Sequence, residues 1–327
     1  MKGALFGIAL TALAAPAVAQ IKSIEELLNP IPSEQCDAQT RHAIIVHGGT
    51  SPGELRPART DFIRAMLADR RAELEAGDSA LDVAERAVLA MEDSGLFNAG
   101  KGAISNHGGF VETDASIMDG RTQDAGAVAS LTGIKNPIRA ARTVMEATSH
   151  VMFVGDRGEA KLREMGLDTV TPDYFSNNAR SPDDHGTVGA AVLDRCGDLA
   201  AGTSTGGYDN KTPGRVGDSP VVGAGVFAKN GVMAGSATGH GEFFIRFGAL
   251  RSVAARMEWG GQAMEDAARA VLEEMDAAGP GRAGRGALVL LDGDGNPLAI
   301  HQKSGLVFGL ARDDTEPLSE EWPGVKD

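Results

Sequence analysis

Near the middle of the chain, the stretch Asp183-Asp184-His185-Gly186-Thr187-Val188-Gly189-Ala190 sets a threonine directly after a glycine, at the start of an apolar run. A threonine hydroxyl is a poor nucleophile until a base takes its proton. One base open to it is its own α-amine, freed when the bond before it is cut. Read this way, Gly186-Thr187 is a cleavage site and Thr187 an N-terminal nucleophile. Glycine at 186 adds no side chain to a crowded strand start and tolerates the strained backbone that an N-to-O acyl shift requires. The tripeptide His-Gly-Thr by itself also fits an ordinary turn, so the weight falls on the residues downstream of it. Two other chemistries lack support. His47-Gly48-Gly49 offers one histidine without partner ligands at metal-binding spacing, and Lys101 follows a glycine but in no Gly-x-x-x-x-Gly-Lys-Ser/Thr phosphate cradle.

The elements that must position Thr187 follow from periodicity. Ala43 to Val46 is a short, continuous, apolar run ending at His47-Gly48-Gly49, a buried strand entering a glycine turn. Arg59 to Ala76 and Ser79 to Glu92 are amphipathic helices, with Ser79 as the cap of the second. Asn98-Ala99-Gly100-Lys101-Gly102 reads as a loop, Phe110 to Met118 as a strand, Asp119-Gly120 as a hairpin turn, Ala125 to Leu131 as the partner strand, and Pro137 to Thr148 as a helix. The polar stretch Thr171 to Asp184 reads as an exposed, mobile linker. Beyond it, Val188 to Leu193 and Leu199 to Thr203 are strands joined at Cys196-Gly197-Asp198, which puts Thr187 at a strand start. Further strands are expected at Val221 to Phe227 and Gly231 to Ala237, a long helical region over Phe243 to Ala278, and a hairpin of Ala287 to Leu291 with Leu298 to Ile300. Runs of strands and runs of helices, rather than strict alternation, predict an α+β protein with helices covering antiparallel sheets.

Composition narrows the function classes. The chain has 327 residues, 42% of them hydrophobic, enough for a sizeable core. Its formal charge of −14, from 31 Lys and Arg against 45 Asp and Glu, argues against a nucleic-acid partner. Lys2, the apolar run from Ala4 to Ala15 and the Ala17-Val18-Ala19 cleavage pattern read as a secretory signal peptide over residues 1–19. A mature protein beginning near Gln20 is therefore expected in the periplasm or outside the cell, with no membrane-spanning stretch. Of the two cysteines, Cys36 and Cys196, one lies on each side of the expected cut, and either a bridge or free thiols fits.

Three blocks lie beyond Thr187: Thr203-Ser204-Thr205-Gly206-Gly207, Pro213-Gly214-Arg215-Val216-Gly217-Asp218-Ser219-Pro220 and Ala237-Thr238-Gly239-His240-Gly241. With His47-Gly48-Gly49, Phe97-Asn98-Ala99-Gly100, Asp114 to Gly120 and the Gly-Thr-Val-Gly junction, they make the chain resemble the plant-type L-asparaginases and isoaspartyl (β-aspartyl) peptidases, threonine N-terminal nucleophile hydrolases. The resemblance covers nearly the whole mature chain. It implies an αββα four-layer sandwich built from two autoproteolytic subunits, Gln20 to Gly186 and Thr187 to Asp327, and a dimer of cleaved protomers. It implies that Thr187 attacks the side-chain carbonyl of an aspartyl amide, that Thr205 steers its oxygen, and that the Thr238 hydroxyl and Gly239 amide form the oxyanion hole. Arg215 and Asp218 match the family's clamp on the substrate's α-carboxylate and α-ammonium, with a backbone contact from Gly241, while Asn98 supports the site. No catalytic cofactor is implied, although the backbone carbonyls of the Leu96 to Gly102 loop resemble a structural sodium site. His185 and His240 match no role. The implied substrates are L-asparagine and β-aspartyl dipeptides. Glycosylasparaginases share the nucleophile and clamp, but relatives of that kind tend to carry asparagine at the position of Gly206 and aspartate at that of Gly186. The reading from another class is an uncleaved, inactive secreted binding protein on the same scaffold.

Overall fold

The computed structural model describes residues 41–50, 56–175, 186–278, 286–313 and 315–324. The expected signal peptide, Cys36, His185 and linker residues 176–185 lie outside them. Cys196 is disulfide-bonded, and Cys36 is the only other cysteine in the sequence.

The described chain forms twelve strands in two sheets, together with helices. The strands are β1 (Ala43–His47), β2 (Thr113–Asp119), β3 (Ala125–Leu131), β4 (Met152–Val154), β5 (Val188–Leu193), β6 (Leu199–Thr205), β7 (Val226–Lys229), β8 (Met233–Gly239), β9 (Gly286–Asp292), β10 (Pro297–Gln302), β11 (Leu306–Arg312) and β12 (Thr315–Trp322). The larger sheet runs β12-β11-β1-β5-β6-β2-β3-β4 and the smaller β10-β9-β8-β7. Every pairing between these strands is antiparallel except that of β3 with β4. The helices are α1 (Pro57–Ala76), α2 (Ala80–Ser94), α3 (Pro137–Ala147), α4 (Gly155–Glu164), α5 (Gly241–Phe247), α6 (Ala249–Glu258) and α7 (Met264–Ala277).

Why the central strands read as unbroken apolar runs is clear from their two faces. Alternate side chains of a strand point to opposite sides. Ile44 and Val46 of β1 enter a core shared with α1, α2 and α3, whereas Ala43 and Ile45 enter a core shared with the smaller sheet, α6 and α7. The same alternation divides Ala190 and Val192 of β5 from Ala191 and Leu193. A strand buried on both faces has no polar side to display.

Local signals fix the helix ends. Pro57 and Pro137 open α1 and α3, where a missing amide hydrogen costs nothing. Ser79 caps α2, its hydroxyl oxygen accepting from the Asp82 amide at 3.1 Å. The long helical region expected over 243–278 is present and is made of three helices. Gly248 at φ 52° turns the chain between α5 and α6, and a turn at Trp259 to Gly261 separates α6 from α7.

Three expectations need revision. The strand expected from Val221 starts only at Val226, because Val221 to Gly225 form turns that close on Asp218, Val221 N–H donating to Asp218 O at 2.8 Å. The strand expected from Phe110 starts at Thr113, since Asn106 to Phe110 form a turn in which the Asn106 side chain accepts from the Gly108 amide at 2.8 Å. The linker expected from Thr171 is ordered at its start. Pro172–Tyr174 make a 3-10 turn, and Phe175 is buried against Ala103 and Val111. No helix among the described residues is long and apolar enough to cross a membrane.

Candidate active site

Strands β5 and β6 pair so that Val188 faces Ser204, which brings Thr187 level with Thr205 one residue beyond. The Thr187 hydroxyl donates to Thr205 Oγ1 at 3.2 Å, and that oxygen also accepts from the Gly207 amide at 2.9 Å. Thr205 is held on its other side by pairing with Asp114 of β2. Thr187 is half-buried, so its hydroxyl is fixed and still reachable.

Across the opening, β8 of the smaller sheet ends at Thr238 and Gly239. Thr238 is 1% exposed, and its hydroxyl has no hydrogen-bond partner among the described residues. A buried polar atom left unmatched costs free energy, so one in a pocket wall marks where a ligand atom is wanted. Thr187, Thr205, Gly207, Thr238 and Gly239 line one pocket together with Tyr208, Arg215 and Asp218.

Arg215 and Asp218 supply the charges. The Arg215 guanidinium stacks on the Tyr208 ring, 4.3 Å from its centroid. It also donates from Nε and Nη2 to the two carboxylate oxygens of Glu242, at 3.0 and 3.1 Å. That two-point pairing fixes the plane of the guanidinium. Asp218 is buried, and its Oδ2 lacks a partner among the described residues. Burial pushes its carboxyl up to about 7, with Glu242 and Asp114 adding to the shift and Arg215 opposing it. A Cβ at Gly241 would lie 2.6 Å from Asp218 Oδ1 and 3.0 Å from Arg215 Nη2. Glycine there therefore lets the chain close on the two clamp side chains themselves, rather than leaving room only for a ligand.

The remaining expected residues fall around this core. Asn98 sits behind the pocket, donating from Nδ2 to Gly207 O at 2.6 Å and accepting at Oδ1 from the Ile104 amide at 3.1 Å. It thus holds the turn after Thr205. His240 is half-buried at the edge, its ring 6.4 Å from that of Tyr208. In the Leu96 to Gly102 loop, the carbonyl of Leu96 accepts from the Arg59 side chain, and those of Phe97, Asn98, Ala99 and Gly100 accept from backbone amides. A carbonyl oxygen has two lone pairs, so these bonds leave each of the five one more. Among the described residues no group of three His, Cys, Asp or Glu side chains is placed to hold a metal ion.

Gly186 is buried, but a Cβ added to it would meet nothing nearer than 3.4 Å. The crowding expected at 186 falls instead on Gly49, which has φ +98° and whose Cβ would lie 2.2 Å from Gly186 Cα. Sequence reasoning also passed over Tyr208 and Glu242, although each adjoins a quoted block. Lys211 was missed as well. It is fully buried and donates to Glu112 O at 3.1 Å, while the Glu112 carboxylate accepts from the Gly214 amide at 2.9 Å. These contacts brace the loop that presents Arg215.

Known proteins share this sequence over most of its length. The family model described as Asparaginase matches residues 40–183 and 176–317. An isoaspartyl peptidase of Salmonella typhimurium is 45% identical over 266 residues, covering 73% of this chain and 84% of that protein. An isoaspartyl peptidase of Escherichia coli is 41% identical over 305 residues, covering 83% and 93%. The isoaspartyl peptidase/L-asparaginase of Mus musculus is 38% identical over 277 residues, covering 78% and 83%.

Proposed function

Because this chain belongs to the asparaginase family, as a hydrolase of the isoaspartyl peptidase/L-asparaginase type, we propose that it is an exported, self-cleaving enzyme whose nucleophile is Thr187. In this reading the chain is cut between Gly186 and Thr187, and the two fragments build an αββα four-layer sandwich and pair into a dimer of cleaved protomers. The mature protein begins near Gln20.

The freed α-amine of Thr187 takes the proton of the Thr187 hydroxyl, and a free α-amine ordinarily titrates at about 8. The oxygen attacks the side-chain carbonyl of an aspartyl amide, and the developing negative charge is met by the Thr238 hydroxyl and the Gly239 amide. One such donor is worth roughly 3 kcal/mol in the transition state. The amine passes its proton to the departing ammonia or amino acid, which leaves an ester on Thr187. Water, deprotonated by the same amine, then releases aspartate. Thr205 steers the nucleophile, and Asn98 supports the turn beside it. Arg215 takes the substrate's α-carboxylate, and Asp218 with the Gly241 backbone takes its α-ammonium, so only a free aspartyl head group is recognised. L-asparagine and β-aspartyl dipeptides both carry that head group.

One observation supports this reading most strongly. Thr187, whose hydroxyl lies 3.2 Å from Thr205 Oγ1, lines the same pocket as Thr238 and Asp218, whose hydroxyl and Oδ2 have no hydrogen-bond partner among the described residues. Purified protein should run as two bands on a reducing denaturing gel, the smaller beginning at Thr187, and should release aspartate from L-asparagine and from a β-aspartyl dipeptide. Thr187→Ala should stay a single band with no turnover. Aspartate release by that variant, or an intact and active wild-type chain, would reject the mechanism. Parallel assay of an aspartylglucosamine substrate separates the peptidase from a glycosylasparaginase.

A further inference from the structure

Beneath the pocket lies a second polar layer that the proposed chemistry does not use. His47, Gly189 and Thr203 stand side by side on the adjacent strands β1, β5 and β6, since His47 pairs with Gly189 and Gly189 with Thr203. All three turn toward the smaller sheet, as Ile45, Ala191 and Ala201 on the same faces do. Gly189, in the middle, has no side chain, and Ser236 of β8 fills the notch above it. A Cβ on Gly189 would lie 1.9 Å from Ser236 Oγ and 2.6 Å from His47 Nε2. From that notch the Ser236 hydroxyl bonds to both flanking residues, to His47 Nε2 at 2.8 Å and to Thr203 Oγ1 at 2.7 Å. Thr203 further reaches Gly225 O at 3.1 Å. His47, Thr203 and Ser236 are all fully buried. Burial pushes the His47 ring down to about 3, so it is neutral; the Thr187 backbone beside it acts in the opposite direction.

The spacing ties this layer to the site. Gly189 lies two residues after Thr187, Thr203 two before Thr205, and Ser236 two before Thr238. Residues two apart on a strand share a face and are separated by about 7 Å. Each threonine of the pocket therefore has a member of the notch one pleat below it on its own strand. The pocket must hold a fixed distance between groups from different sheets, Thr187 and Thr205 on one and Thr238 on the other. Apolar contacts between sheets are not directional, whereas hydrogen bonds are.

We propose that the His47–Ser236–Thr203 lock seated over Gly189 positions the nucleophile against the oxyanion site, making His47, Thr203 and Ser236 positioning residues for the reaction. None of them touches the substrate. Loosening the lock should move Thr238 and Gly239 relative to Thr187 more than it moves the Arg215 and Asp218 clamp, which meets β8 only past its end, through Gly241 and Glu242, and meets Thr203 only through the turn at Gly225. The proposal rests on the function proposed above and is tested apart from it, with wild-type protein assayed alongside every variant.

Thr203→Val keeps the shape and removes the hydroxyl, Thr203→Ser keeps the hydroxyl, and Ser236→Ala removes the bonds to both neighbours. For each, kcat and KM for a β-aspartyl dipeptide are measured per mole of protein bearing a free Thr187, together with Tm. Thr203→Val should lose at least about tenfold in kcat with KM within about twofold of wild type. Thr203→Ser should recover most of that loss, and Ser236→Ala should lose more than Thr203→Val. Wild-type kcat in Thr203→Val and Ser236→Ala would overturn the lock, as would a loss that Thr203→Ser fails to restore or a loss confined to KM. Failure of both hydroxyl-deleting variants to fold would overturn it too, by assigning these groups to stability. If wild-type protein itself released no aspartate, the proposed function would fall instead.

Discussion

Asp218 combines two properties that pull against each other. Its carboxyl is pushed up to about 7 by burial, yet in the proposed clamp it must be negative to hold an ammonium. In the free site it is protonated below that value and ionised above it. Substrate capture should therefore strengthen as pH rises through about 7 and weaken as pH falls, whereas an ordinary carboxylate near 4 would already be ionised throughout that range. The profile of kcat/KM against pH should rise through about 7 with Asp218 and again through about 8 with the Thr187 amine, and Asp218→Asn, with low activity throughout, should keep only the upper rise. A wild-type profile flat between pH 6 and 8 would contradict the assignment. Glu242 makes a related point. Its carboxylate lies below its usual range because of its bonds to Arg215, which outweigh its burial, so the pair stays charged across this window.

At the scale of elements, two contacts make distinct predictions. The turn after β1 packs on the proposed cut, with Gly49 at φ +98° and its missing Cβ 2.2 Å from Gly186 Cα. Gly49→Ala should displace the 186–187 peptide and leave most of the protein as a single uncut band after an incubation that fully processes wild type. Glu92 of α2 joins three elements. Its carboxyl accepts from Ser204 of β6 at 2.6 Å and from the Ile138 amide of α3 at 2.9 Å. Burial pushes it up to about 8 from an ordinary 4.5. The folded state therefore holds a proton that the unfolded chain has released, and the stability this brings is full below about 4.5 and lost as pH rises through 8. Glu92→Gln, neutral throughout, should gain Tm relative to wild type on going from pH 5 to pH 9, by melting at both values.

Those two contacts also show what the sequence could carry. The edges of β1, α2, β3 and β5 were legible because a buried strand is apolar throughout and Ser79 is a local cap. The grouping of Thr187, Thr205, Thr238, Arg215 and Asp218 was legible as a family pattern. Gly49 against Gly186 was not, because the two are distant in the chain and meet only through the pairing of β1 with β5. The three-residue strand β4 carries no periodic signal. Glu242, Lys211 and the Ser236 notch depend on contacts between elements that no local pattern records.

For the whole molecule, the decisive feature is the order of the larger sheet. β1 lies between β11 and β5, so a strand before the proposed cut is flanked on both edges by strands after it, and β5 with β6 lies between β1 and β2. The two fragments should therefore elute together under native conditions and melt in one transition. After unfolding under reducing conditions, which open the disulfide at Cys196, the cut form must reassemble from two polypeptides. Its recovered activity should fall on dilution, whereas recovery of the fold by uncut Thr187→Ala, read by circular dichroism, should not depend on concentration. Recovery of the cut form independent of dilution would count against a two-fragment enzyme.

The same arrangement bears on the new terminus. Chain ends are ordinarily the loosest part of a protein and fray into solvent. Here the strand that the freed end leads into would be gripped by main-chain bonds on both flanks, by β6 from Val188 and by β1 from Gly189. Severing the backbone would therefore liberate an amine without liberating any motion, and the reactive group would keep the stillness of a sheet's interior.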